Sequence, residues 1–153
     1  MKVEYINPFL RATQNVLKTM AFTETVAGKP YVKTDQTAAG DISGIIGITG
    51  ETDGSLSISF SEPCICNIVS NMFGESVNEI NDEVEDAVGE ITNIISGDAR
   101  RELAEKGIKL QSSTPSVVSG KNHRIRHMAS GPAIAIPFST KAGHFVVEVC
   151  LNG

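Results

Sequence analysis

Tryptophan is absent from this 153-residue chain and tyrosine occurs only twice, which argues against stacking platforms for single-stranded nucleic acid. Positive charge is also scarce. Thirteen Lys and Arg against 18 Asp and Glu leave a net charge of −5, whereas a duplex-binding surface needs clustered cations. The longest apolar runs fall far short of a membrane span, and Met1-Lys2-Val3-Glu4-Tyr5 lacks the charged-then-apolar profile of a signal peptide. Cys64, Cys66 and Cys150 form neither a disulfide framework nor a zinc pattern. Cys64 and Cys66 lie one residue apart in an apolar helical segment with no histidine cluster nearby, as expected of buried, reduced thiols in a cytoplasmic protein. What remains is ordinary for a soluble globular chain, 41% apolar and 20% charged, and residues 1–153 read as a single domain.

Asn7-Pro8 before Phe9, Leu10, Val16, Leu17 and Met20 predicts a first helix, with Pro8 at its first position and an end near residue 21. Residues 29–35 suggest a strand. Residues 42–49 and 55–60, separated by Gly50-Glu51-Thr52-Asp53-Gly54, predict a hairpin half-buried through Leu56, Ile58 and Phe60. Ser61-Glu62-Pro63 opens a second helix that Gly74 stops. The third and longest begins near Asn81-Asp82 and runs toward Gly107, with Arg100, Arg101 and Lys106 at the end its macrodipole offers to cations. Strands follow at 108–113, 115–118, 133–138 and 144–151. This order predicts an α+β fold, a mainly antiparallel sheet with three helices packed on one face.

Within the long helix, Asp86, Glu90, Asn93 and Gly97 fall at i, i+4, i+7 and i+11 and share one stripe. The apolar residues Val84, Ala87, Val88, Ile91, Ile94 and Ile95 make a second stripe centred roughly 130° away. The core face is therefore supplied, and the polar stripe points to solvent. Glycine in an exposed helix interior costs about 1 kcal/mol relative to alanine. Gly97 makes sense there if another molecule's backbone must come close.

Other candidates for chemistry are weaker. Gly44, Gly47 and Gly50 lie in a strand that leads to another strand, so no helix N-terminus receives a phosphate; a bend or close backbone approach explains them better. His123-Arg124-Ile125-Arg126-His127 is the one basic patch, suited to a solvated edge or loop, or to contact with an anionic partner. The histidines have no partner motif from which a nucleophilic triad could be argued.

The segment Asp86-Ala-Val-Gly89-Glu90-Ile-Thr-Asn93-Ile-Ile-Ser-Gly97 resembles the D/S-x-x-x-E-x-x-N signature of the bacterial chemotaxis phosphatases CheC, CheX and FliY. A proline some 23 positions beyond the asparagine belongs to that pattern; here Pro115 lies 22 beyond Asn93. Length, element order and the Met72-Phe73-Gly74-Glu75 helix exit are similar to CheX across nearly the whole chain. Two-site members repeat the motif on their first helix. In this chain the counterpart is Arg11-Ala12-Thr13-Gln14-Asn15, with Ala12 in the Glu position, so one site per chain is expected.

The resemblance implies a CheC-like fold and hydrolysis of the aspartyl phosphate on a phosphorylated CheY-like response regulator. It implies a homodimer joined edge to edge through its sheets. No cofactor would be bound by this chain, since Mg²⁺ is held by the regulator. An acyl phosphate is already reactive, so water needs orienting more than activating. The Asn93 amide can both donate to and accept from a water molecule, and being neutral it can enter a site crowded by phosphoryl oxygens. This parallels the glutamine that orients water in GTPases. Glu90, one turn earlier, would pair with the regulator's active-site lysine, while Asp86 and Gly97 would serve docking. Two other readings stay open: a module that docks phosphorylated receivers without turnover, and a structural subunit of a larger assembly.

Overall fold

The computed structural model describes residues 3–35, 37–121, 123–125 and 133–151. In chain order these form α1 (Val3–Ala21), β1 (Val26–Ala27), β2 (Tyr31–Lys33), β3 (Ile42–Gly50), β4 (Gly54–Phe60), α2 (Glu62–Phe73), α3 (Asp82–Glu105), β5 (Leu110–Ser112), β6 (Ser116–Ser119), β7 (Ala133–Ser139) and β8 (His144–Leu151). Every strand pairing is antiparallel. The order β1-β7-β8-β4-β3-β5 makes one eight-stranded sheet, with β2 also paired to β7 and β6 to β3. This is the expected α+β architecture.

Alternation decides which side of the sheet carries the helices. Ile42, Ile46, Leu56, Ile58, Phe60, Ile136, Phe138, Phe145, Val147 and Val149 share one face and join the buried apolar residues of all three helices in one core. The opposite face mixes serines with small apolar residues (Ala133, Ala135, Val146 and Cys150) and is closed, contrary to the half-buried hairpin expected. Ser43, Ser55, Ser57 and Ser59 are buried, and all of β4 is shielded from solvent. Two polar contacts account for part of the closure. Lys33 on β2 donates to Glu148 on β8 at 2.9 Å, with both side chains buried, and also to the Thr37 carbonyl. His123 donates from Nδ1 to the Gly120 carbonyl at 2.7 Å and places Nε2 2.6 Å from Ser43 Oγ. The basic patch is therefore not simply a solvated edge. Arg124 is exposed beside a bridge to Thr37, but His123 is turned inward and Ile125 is buried. Arg126 and His127 lie outside the described residues.

Pro8 also differs from expectation. It sits inside α1, in the second turn, where a missing amide removes one helical hydrogen bond; the preceding turn is already formed from Val3 onward. The ends of α2 and α3 follow the sequence closely. Gly74 caps α2 in left-handed backbone at φ 71°, and Asn81 Oδ1 caps α3 by accepting from the Val84 amide at 2.9 Å. At the start of α2, Asp41 accepts from the Glu62 amide at 2.8 Å, a bond that Ser61 does not make. All three cysteines are buried and in no disulfide, and burial pushes the Cys64 thiol up to about 11 despite its contact with Thr140.

The glycines of β3 have a definite use at Gly44. A Cβ there would lie 2.0 Å from Thr92 Oγ1 and 3.0 Å from Thr92 Cβ, so α3 rests directly on the β3 backbone. Gly44→Ala is expected to destabilise the fold by about 1–3 kcal/mol through overpacking. In a Thr92→Ala background the same change should cost less. Equal losses in both backgrounds, read by urea denaturation, would show that the contact is not the cause.

Candidate functional site

Seating α3 on β3 fixes which of its sides meets solvent. Val84, Ala87, Val88, Ile91, Thr92, Ile95, Ser96, Ala99 and Leu103 are buried, whereas Asp86, Glu90 and Asn93 are exposed and Gly97 is partly so. Thr92 and Ser96 are the polar residues on the buried side, and the Thr92 hydroxyl donates to the Val88 carbonyl at 2.7 Å. The structure thus keeps all four predicted site residues on one open stripe. Glu90 and Asn93, three residues apart, have Cβ atoms about 5–6 Å from each other.

Gly97 has no packing reason among the described residues. A Cβ there would meet only Arg100 Nη2, at 3.9 Å, among the described residues. Gly89 is similar, with Val117 Cγ2 at an ordinary 3.5 Å. Two helical glycines with room for a methyl group sit on a helix that would gain stability from alanine. Pro115 is half-buried in the link between β5 and β6 and is not on the α3 stripe.

One end of the stripe borders a groove of about 390 Å³. Met20 of α1, Met72 and Phe73 of α2, and Glu83, Asp86 and Glu90 of α3 line it. Sequence reading placed Asp86 and Glu90 here but missed the groove, because it depends on where three helix segments meet. The helix exit at Met72-Phe73-Gly74 was its one visible sign.

The α1 counterpart of the motif is built differently. Ala12 is buried, Asn15 is exposed, and Arg11 donates from Nε to Glu102 at 2.9 Å. That hydrogen bond holds the Glu102 carboxyl below the usual carboxylate range. Arg101 pairs with Asp98 at 3.2 Å alongside. Charges here satisfy one another, and no carboxylate stands one turn before Asn15. Among the described residues, no three His, Cys, Asp or Glu side chains converge as metal ligands, and no helix is long and apolar enough to cross a membrane.

Comparison with known proteins gives the arrangement its context. The chain is 27% identical over 140 residues to the CheY-P phosphatase CheX of Thermotoga maritima, covering 91% of this chain and 89% of that protein. A CheC-like superfamily protein from Shewanella sp. PV-4 superposes with a TM-score of 0.94 at 49% identity, with both chains fully covered. The CheX–CheY–BeF3–Mg²⁺ complex of Borrelia burgdorferi superposes with a TM-score of 0.83 at 27% identity, over 99% of this chain and 100% of that one. The sequence profile of chemotaxis phosphatase CheX matches residues 42–139, which contain α3 and its stripe, and this chain belongs to that family.

Proposed function

We propose that this protein dephosphorylates a CheY-like response regulator, with Asn93 placing the attacking water and Glu90 docking to the regulator's active-site lysine. The observation that carries this reading is the exposed Glu90–Asn93 pair on a helix whose other side is locked into the core. A CheY-P phosphatase among the relatives, and a relative in complex with CheY, support the same substrate.

The water oxygen attacks phosphorus, the acyl P–O bond breaks, and the regulator's aspartate leaves as a carboxylate. The water's proton goes to the departing inorganic phosphate. Asn93 needs no charge for this, since its amide oxygen accepts from the water while its amide nitrogen can donate to a phosphoryl oxygen. Holding the water in line is an orientation effect, for which misplacement by about 1 Å can cost roughly 100-fold in rate. Glu90 supplies attraction to a lysine and fixes the helix over the phosphoryl group. Asp86 adds negative charge to the docking stripe, and Gly97 lets the partner's backbone approach. The Mg²⁺ belongs to the regulator, where it offsets phosphoryl charge; nothing in the proposed role of this chain requires a ligand of its own.

We read residues 1–153 as a single phosphatase domain acting in the cytoplasm. Three buried cysteines in no disulfide suit a reducing compartment. A homodimer through the sheet edges is supported by exposed Val26, Tyr31 and Val32 on β1 and β2. Sedimentation equilibrium should give twice the chain mass, and a monomer at micromolar concentration would remove the dimer from this reading.

Asn93→Ala is expected to keep receiver binding and lower turnover roughly 100-fold, whereas Glu90→Ala weakens both. The assay is decay of a ³²P-phosphorylated receiver with Mg²⁺ and catalytic amounts of each variant. Unchanged turnover by Asn93→Ala would sink the assignment; binding without any acceleration by the native protein would leave a docking module. Gly97→Ala should raise stability by about 0.5–1 kcal/mol in urea yet slow dephosphorylation. Higher stability with undiminished activity would show that no partner backbone passes over Gly97.

A further inference from the structure

The end of the helix layer beside the stripe carries an apolar surface that the reaction does not use. α1 and α2 finish next to each other there, tied by Asn71 Nδ2 donating to Thr23 Oγ1 at 3.3 Å. Phe73, the last residue of α2, is 47% exposed, and Met20 and Met72 are half-buried in the groove against Glu83, Asp86 and Glu90. Phe22, immediately after α1, is 79% exposed and has φ 51°, alone among the described non-glycine residues in left-handed backbone. The turn holding it is well made: the Thr23 amide donates to the Leu17 carbonyl at 3.0 Å, and Thr23 Oγ1 to the Ala21 carbonyl at 2.9 Å.

Folding disfavours Phe22 twice, through exposed apolar area and through a backbone conformation that a bulky side chain resists. Strain of this kind is found where function requires a fixed position. Charge gives the second clue. Residues 34–99 contain no Lys, Arg or His, so α2 and most of α3 carry acidic charge alone. Glu83, Asp86 and Glu90 take part in none of the salt bridges among the described residues. An apolar groove with an uncompensated acidic wall complements a surface that offers an exposed apolar side chain beside a Lys or Arg.

We propose that Phe22, Phe73, Met20 and Met72, with Glu83, form a docking surface that selects the response regulator by gripping an apolar side chain flanked by a cation next to its phosphorylation site. This rests on the phosphatase reading above, because the groove shares Asp86 and Glu90 with the stripe and continues it. The surface governs affinity and choice of regulator, while Asn93 governs turnover.

The test titrates a receiver domain, loaded with Mg²⁺ and BeF3⁻, against the intact protein and three variants, with thermal melts in parallel. Phe73→Ser and Glu83→Lys are expected to raise Kd about tenfold, as for loss of an anchor or of a complementary charge. Phe22→Gly should raise Kd severalfold while raising Tm by a few degrees, since glycine adopts the left-handed turn freely. A merely structural role would not move stability and affinity in opposite directions. Unchanged Kd in both Phe73→Ser and Phe22→Gly would overturn the proposal. So would altered sedimentation with unchanged Kd, which would make the surface a contact between two copies. Shifts in Kd alongside full turnover by Asn93→Ala would support the docking surface and discard only the catalytic assignment.

Discussion

Thr92 lies where a side chain on Gly44 would have to be, and the placement of the site follows from that contact. A helix of 24 residues is about 36 Å long and could rotate about its axis if its packing were loose. Backbone-to-side-chain contact at β3, with Val88 and Ile91 also buried, removes that freedom. Glu90 and Asn93 are then presented by a rigid element before any partner arrives. Orientation settled in advance spares the complex the conformational entropy that a loop-borne pair would lose on binding.

The chemistry assigned to the stripe is economical in the charge it asks of this chain. In the proposed reaction a neutral amide would approach the phosphoryl oxygens, with carboxylates a turn or more away to meet a lysine of the partner. Cations that would stabilise a phosphoryl group are absent from the stripe and from all of α2. Under that proposal the reaction centre would be divided between two proteins, and neither half alone would have much activity. The contrast with α1 is instructive. Its corresponding surface has both signs of charge, but Arg11 and Glu102, and Arg101 and Asp98, are already paired with each other.

Much of this was legible in the sequence because it is locally encoded. Caps and stops fixed α2 and α3: Asn81, Gly74 and the acidic first turn of α3 act within a few residues of themselves. The stripe was legible because helical periodicity alone separates it from the core face. What escaped was whatever depends on distant segments. The serine face of β4 reads as solvent-facing by alternation, yet Lys33 and His123 arrive from far along the chain to help close it. The two-residue β1 is defined only by its partner β7. Phe22 carries no local mark of its left-handed backbone, since nothing in a phenylalanine announces it.

The strand order has a consequence for how the molecule comes into being. β8, last of the eight along the chain, lies between β4 and β7 and is hydrogen-bonded to both. Until it is in place, the β3–β4 hairpin with its helices and the β7 strand are separate pieces that share no backbone ladder. Joining the β3–β4 part of the sheet to β7 therefore waits for β8, which follows the other seven described strands along the chain. Topologies closed by such distant pairings fold slowly. Until β8 pairs with it, β4 has an open edge, the kind of unpaired edge that invites pairing with another chain.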